Sequence, residues 1–308
     1  MVGGNYFMSD LNPQRVFIFG PQRTGSTLLH NLFKLHPDVY GTPNDLNLWK
    51  VSKNLFRIVL DGRQARKFVD WEIPGLSNLY ELLLCRDDQE VFKTLMDNYF
   101  EGHKESVFIH KNPKAELELE TYRRMFPDGK YIFCVRNPMS IMTSRKYWEQ
   151  NKNSWVSLDE KSDFTDVILL MKHMRDSVRY IFESYKIMDV EYGKSDVLGI
   201  VDYDGLVKET KVQLQPILSA LKIQINPILD SIDTLKNPYS SFSDNAKKKG
   251  LYASSSTKWK TLLTKFEIEL IYNAMSNFYA EYEFQSEVME KCFHRYLINV
   301  QSARPKKG

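Results

Sequence analysis

Hydrophobic residues fall into short unbroken blocks separated by longer stretches with helical spacing. Four blocks, Arg15 to Phe19, Ser106 to His110, Tyr131 to Val135 and Val197 to Tyr203, are apolar at successive positions, which predicts strands buried on both faces as in a parallel sheet. After the first block, Leu28, Leu32 and Leu35 share one helical face with Leu29 and Phe33 beside it, and His36-Pro37 closes the helix. Leu79, Leu82, Leu83, Val91 and Leu95 predict a long helix within Leu76 to Tyr99, making the stretch between the first two strands an α-rich insertion. Ala115 to Phe126 reads as a crossover helix stopped by Pro127-Asp128-Gly129. From Gly205 onward the spacing is helical, broken by a loop from Asn237 to Ser256 and ending in helices around Phe266 to Tyr282 and Glu287 to Ile298. Strands alternating with helices predict an α/β fold with a central parallel sheet flanked by helices, and the absence of a linker or repeat predicts a single domain over 1–308.

Composition narrows the function classes. A formal net charge of +3, from 42 basic and 39 acidic residues, is too balanced for a nucleic-acid-binding or membrane-binding surface, so basic residues matter locally. Cys85, Cys134 and Cys292 have neither disulfide-framework nor zinc spacing, which fits a reducing compartment. Without a leader-like N-terminus or an apolar run of about 18 residues, the expectation is a cytoplasmic protein.

Chemistry enters at Gly20-Pro21-Gln22-Arg23-Thr24-Gly25-Ser26-Thr27. A buried strand runs into a loop whose backbone N–H groups and following helix N-terminus can converge on one anion. The spacing is P-loop-like, but Ser26 stands where a nucleoside-triphosphate-binding loop needs its lysine. A second element, Arg136-Asn137-Pro138 through Ser144, puts a guanidinium at a strand end and a hydroxyl on the next helix. Ligands in open α/β sheets bind beyond the carboxyl ends of strands, which predicts that Arg23, Lys111, Arg136 and Tyr203 share one rim.

In this order and on these elements, the two motifs resemble the signature of 3′-phosphoadenylyl-sulfate (PAPS)-dependent sulfotransferases. The likeness extends to His36-Pro37-Asp38-Val39, His110-Lys111-Asn112-Pro113 and Phe126-Pro127-Asp128, looks closest to the tyrosylprotein and bacterial small-molecule branches, and is specific from Arg15 to Trp148. It implies that Arg23, Thr24, Gly25, Ser26 and Thr27 hold the 5′-phosphosulfate, and that Arg136 and Ser144 hold the 3′-phosphate. It further implies that Tyr203 lies near the adenine and that Lys249 and Gly250 belong to a C-terminal loop closing on the 3′-phosphate, the register among Lys247, Lys248 and Lys249 being open. The insertion at about 42–104 is expected to form part of the acceptor pocket.

Sulfuryl transfer needs positive charge at the departing oxygen and a base for the acceptor, and no metal is expected. Arg23 and Lys111 are the candidate cations. The histidine that cytosolic relatives carry two residues beyond this lysine is Pro113 here, and the glutamate of the tyrosylprotein branch aligns with Asn44, so the candidate base is the adjacent Asp45, with His110 as the alternative. The implied reaction is transfer from PAPS to a hydroxyl or amine of a small molecule. Trp49, Trp71, Tyr80, Trp148 and Trp155, with Asp45, Asp70, Glu72, Asp87 and Asp88, suggest a cationic natural product such as a guanidinium alkaloid. Two other readings stay open: a P-loop phosphotransferase, and a non-catalytic nucleotide-binding protein. Apolar helix faces near the C-terminus could support a homodimer.

Overall fold

The computed structural model describes residues 13–42, 84–100, 105–150, 155, 162–235, 250–252 and 256–303. Strand β1 (Gln14–Phe19) leads through the first loop into helix α1 (Ser26–Phe33), then β2 (Val39–Gly41), β3 (Val107–Lys111), β4 (Lys130–Val135) and β5 (Val197–Asp202). Their order across the sheet is β2-β3-β1-β4-β5, and every pairing is parallel. The chain leaves β1 toward β2 on one side and leaves β4 toward β5 on the other. The topological switch therefore falls between β1 and β4, the place beyond the strand ends where ligands of open α/β sheets bind.

The period-2 geometry of a strand explains how the apolar blocks feed two cores. Phe17 and Phe19 of β1 join one apolar cluster, while Val16 and Ile18 join the other. The first is aromatic: Phe17 lies 5.0 Å from Phe126, and Phe19 lies 4.8 Å edge-on from Tyr122. The second is mostly aliphatic: α1, through Leu28, Leu29 and Leu32, covers β1 and β3, and Leu214 and Leu218 of helix Thr210–Ala220 cover β5.

Three features differ from the expectation. A fifth strand, β2, pairs with β3 at the sheet edge; three residues are too few to show a period in sequence. The helical pattern predicted through Leu76 to Tyr99 is broken at Cys85 to Asp87, because the Asp87 carboxylate accepts from Gln89 and Glu90 N–H at 2.9 Å each and starts a separate helix, Asp88–Phe100. Ala115–Glu118 is a 3₁₀ turn after Lys114, which has φ +80°, and only Leu119–Met125 is α-helical.

A 28-residue helix, Phe164–Glu191, fills the helical stretch before the last predicted strand and crosses the aromatic side of the sheet. Asp163 caps it by accepting from Thr165 and Asp166 N–H at 2.7 and 3.1 Å, while Asp166 accepts from Asp163 N–H. Leu170, Met174, Ile181, Tyr185 and Met188 make its buried stripe. Beyond it, helices Lys265–Glu281 and Glu287–Ala303 complete the layer.

Helix Pro138–Gln150, which carries the second motif, is tied to helix Lys265–Glu281 by a buried ion pair. Lys146 Nζ lies 2.9 and 2.7 Å from the two oxygens of Glu267, which also accepts from Thr264 N–H at 2.7 Å in a capping box. Glu267→Ala should cost about 3 kcal/mol, because it strands a buried ammonium. Glu267→Gln, which keeps an acceptor, should cost less; urea denaturation of both variants measures the difference.

Candidate active site

The first loop follows β1 and turns through two left-handed residues, Arg23 at φ +76° and Gly25 at φ +95°. Only glycine fits at 25. A Cβ there would stand 2.2 Å from the Tyr203 ring, and the conformation itself disfavours a side chain. Thr24 secures the loop from within, its hydroxyl donating to Pro21 O at 2.8 Å. Ser26 opens α1, so the loop delivers its last N–H groups at a helix N-terminus.

Beneath this loop lies Glu116, a carboxylate that is 1% exposed. It accepts from Gly20 N–H at 3.1 Å, Tyr180 O–H at 2.8 Å and Ser184 O–H at 2.7 Å. Burial pushes its pKa up, and these three donors oppose the rise. The contact joins the loop to the long helix, and nothing local in sequence marks it.

Arg136 follows β4 and is 5% exposed. Its backbone is clamped by Tyr185, whose hydroxyl accepts from Arg136 N–H at 2.9 Å and donates to Arg136 O. Its guanidinium donates to Arg23 O at 3.0 Å and lies 4.0 Å from the Tyr203 ring centroid. The structure thus brings Arg23, Gly25, Arg136 and Tyr203 into one cluster. Lys111 ends β3 on the same rim, as the strand assignments predict.

Arg23 itself lies over Trp148, 5.2 Å from its ring centroid. Its Nη2 is buried and makes no hydrogen bond among the described residues. Burial, then the charge of Arg136, pulls its pKa below the ordinary arginine value, and Glu149 pulls it back. Two guanidiniums in one partly buried cluster favour an anionic ligand.

Other predicted positions are placed less simply. Ser144 is buried on helix Pro138–Gln150, and one turn earlier Ser140 donates to Ser256 O at 3.1 Å, so Ser140 touches the end of the C-terminal loop. Gly250 has φ +87° and donates its N–H to Leu235 O at 2.9 Å, which ties it to the Ile232–Thr234 turn. Asp45 and Lys249 lie outside the described residues, as does most of the 42–104 insertion. His110 is fully buried between Phe17 and Phe92, paired with the Thr42 hydroxyl at 2.9 Å, and burial lowers its pKa to about 3. It stays neutral at physiological pH and is sealed from the crevice.

The carboxylate near Arg23 that sequence reading did not name is Glu149. It is held by Arg145 Nε at 2.6 Å and stands 3.0 Å from His173 Nε2, whose ring packs edge-on against Trp155 at 5.1 Å. Of the acids expected near an acceptor, Asp87 is an exposed helix cap and Asp88 is exposed. Among the described residues no group of three His, Cys, Asp or Glu is disposed to hold a metal ion, and no helix is long and apolar enough to cross a membrane.

Two predictions follow from these contacts. Gly25→Ala should abolish binding of phosphate-bearing nucleotides while the protein stays folded, a loss read by calorimetric titration. Asp204, next to Tyr203, has its pKa pushed up to about 6, mainly by burial and then by Asp202, with Arg136 opposing. A raised carboxyl pKa means that the folded state holds the proton more tightly than the unfolded chain. Its contribution to stability is therefore present at about pH 4 and lost as pH rises through about 6. Asp204→Asn should remove that decline and make the protein more stable than wild type above pH 6, by about 1–3 kcal/mol, in denaturation curves taken across this range.

The comparisons agree with this architecture. The chain matches the nodulation protein NoeE of Sinorhizobium fredii at 25% identity over 143 residues, 44% of this chain and 31% of that protein, so the match spans about a third of the relative's length. Among solved structures it resembles the sulfotransferase domain of the Synechococcus PCC 7002 olefin synthase, with TM-score 0.54 and 18% identity over 85% of this chain and 94% of that one. It also resembles mouse sulfotransferase SULT7A1 complexed with PAP, with TM-score 0.54 and 16% identity over 92% and 89%. A sulfotransferase from Alicyclobacillus acidocaldarius aligns with TM-score 0.50 and 15% identity over 94% and 98%. Identities this low speak to the fold. The profile described as the Sulfotransferase family matches residues 13–227, and the chain belongs to that family.

Proposed function

We propose that this protein transfers a sulfuryl group from PAPS to a hydroxyl or amine of a small-molecule acceptor. The observation that carries the reading is the pair of guanidiniums, half-buried Arg23 after β1 and buried Arg136 after β4, coupled by the bond from Arg136 to Arg23 O. PAPS brings the activated sulfuryl group together with the 5′ and 3′ phosphates that such a pair would grip.

The residue roles follow from placement and charge. Arg23, Thr24, Gly25, Ser26 and Thr27 hold the 5′ end through side chains and loop N–H groups. Arg136 and Ser144 hold the 3′-phosphate, Tyr203 borders the adenine, and Lys249 and Gly250 close the loop over it. Arg23 and Lys111 stabilise the negative charge that develops on the departing oxygen, so no divalent ion is required. Asp45 takes the acceptor proton. Glu149, the carboxylate closest in influence to Arg23, is the second candidate for that task.

An aromatic wall at Trp148 with the Glu149 carboxylate beside it favours a cationic acceptor, such as a guanidinium-bearing natural product. The protein works without nucleic acid or membrane, in the cytoplasm, and its C-terminal apolar helix faces could support a homodimer.

Arg136→Ala should weaken PAP binding by about 100-fold, and binding of an analogue lacking the 3′-phosphate by about tenfold, since Arg136 also braces the Arg23 carbonyl. Calorimetry with both nucleotides makes the comparison, and equal losses would reduce Arg136 to a strut. Arg23→Ala and Lys111→Ala should each lower turnover roughly 10²–10³-fold in a PAP-release assay that is insensitive to EDTA. In the same assay, Asp45→Asn and Glu149→Gln assign the base by which of them lowers turnover without changing PAP affinity.

A further inference from the structure

The long helix Phe164–Glu191 has two working flanks. Tyr180 and Ser184 face Glu116 and the phosphate loop. On its other flank, helix Lys265–Glu281 leaves a cavity of 720 Å³ floored by Met174, Val178, Ile271, Ala274 and Phe278. Ile168 and Met171, 47% and 43% exposed, extend the apolar surface to the rim. Lys186 shuts one end, its ammonium 5.8 Å from the Phe278 ring centroid and 3.1 Å from the Glu183 carboxylate; Glu281 is the other acid of the lining, so the positive charge is carried by Lys172, Arg175 and Arg179.

Volume alone admits an apolar ligand or the side chains of a docked peptide, since pockets of about 300–1,000 Å³ serve either. The charges decide between them. Lys172, Arg175 and Arg179 are exposed along one wall at helical spacing, a row about 10 Å long. Among the described residues the ion pair recorded for this row is a loose one, Arg175 to Asp176 at 3.8 Å. A single-headed amphiphile would answer one of the three cations. A helix with carboxylates at matching intervals beside its apolar stripe would answer all three, and two methionines on the cavity wall can adapt to it.

We propose that this groove is a docking site for an acidic amphipathic helix of a partner protein, separate from the phosphate-binding crevice. The interaction orients the partner by charge along the Lys172–Arg179 wall and gains its affinity from apolar burial on the Ala274–Phe278 side. It uses no residue of the crevice, so nucleotide binding proceeds with the groove empty or filled.

The test is fluorescence anisotropy of the full chain with a labelled 18-residue helical peptide carrying a leucine stripe flanked by glutamates. A version with glutamine in place of glutamate, and dodecanoate as competitor, serve as controls. The expected result is saturable micromolar binding that weakens with salt, is lost with the glutamine peptide, and falls at least about tenfold in K172E/R175E/R179E and in Ala274→Trp. PAP affinity of both variants should equal that of wild type, which also certifies that they are folded. The proposal is overturned if the acidic and glutamine peptides bind alike or if the variants bind as well as wild type. It is equally overturned if dodecanoate alone shows charge-dependent binding, which would make this a small-amphiphile site. Sedimentation showing a dimer that the triple variant dissolves would overturn it in favour of a second copy.

Discussion

Two like charges held side by side at the sheet rim, Arg136 buried and Arg23 half-buried, organise this molecule. Burial removes water from the Arg23 guanidinium, and the neighbouring charge of Arg136 adds to the cost of keeping Arg23 charged. Such an arrangement persists only when the surrounding fold over-determines it. The fold does so: Tyr185 clamps the Arg136 backbone, Tyr203 supports its guanidinium, and Glu116 fixes Gly20 at the base of the loop. The repulsion is thereby stored for an anion to relieve, and the rigidity of the sheet edge means that little rearrangement is needed when one arrives.

That support comes from distant parts of the chain, which explains why the region beyond the family match matters. Asp202, at the end of β5, caps the following turn by accepting from Gly205 N–H at 2.7 Å. Its carboxylate also receives Arg295 at 2.7 Å and the Tyr296 hydroxyl, both from the C-terminal helix Glu287–Ala303. Tyr203 is the next residue. The C-terminal helix thus anchors the platform on which Arg136 rests, although it lies outside the matched segment 13–227.

The four longer strands and the turn of the first loop are legible because their signals are local: an apolar block is a buried strand wherever it sits, and a left-handed glycine is written at Gly25 itself. The register of the rim followed from topology, since a parallel sheet puts all its carboxyl ends on one side. What escaped was long-range. Glu116 reads as an ordinary acidic position in Ala115-Glu116-Leu117-Glu118, and only folding brings Gly20, 96 residues away, to its carboxylate. His110 looked like an accessible base beside Lys111, but strand alternation turns it into the aromatic core while its neighbour reaches the rim. The extent of the long helix was hidden for another reason. Its buried stripe includes Ser177, Ser184 and Asp189, so its hydrophobic period is blurred at the positions that do the polar work.

Those polar positions explain why one helix can serve two surfaces. Ser184 is committed to Glu116, and Asp189 accepts from Tyr282 O–H and from Gln285 and Ser286 N–H at 2.9, 2.8 and 2.9 Å. The helix is thereby pinned to the phosphate loop at one point and to the C-terminal layer at another. Its remaining flank carries Lys172, Arg175 and Arg179 over an apolar floor. Both pins lie C-terminal to the cationic row, so a partner on the row meets a stretch of helix that neither Ser184 nor Asp189 occupies. The loop and the groove therefore share one helix, the loop through Tyr180 and Ser184 and the groove through Lys172, Arg175 and Arg179.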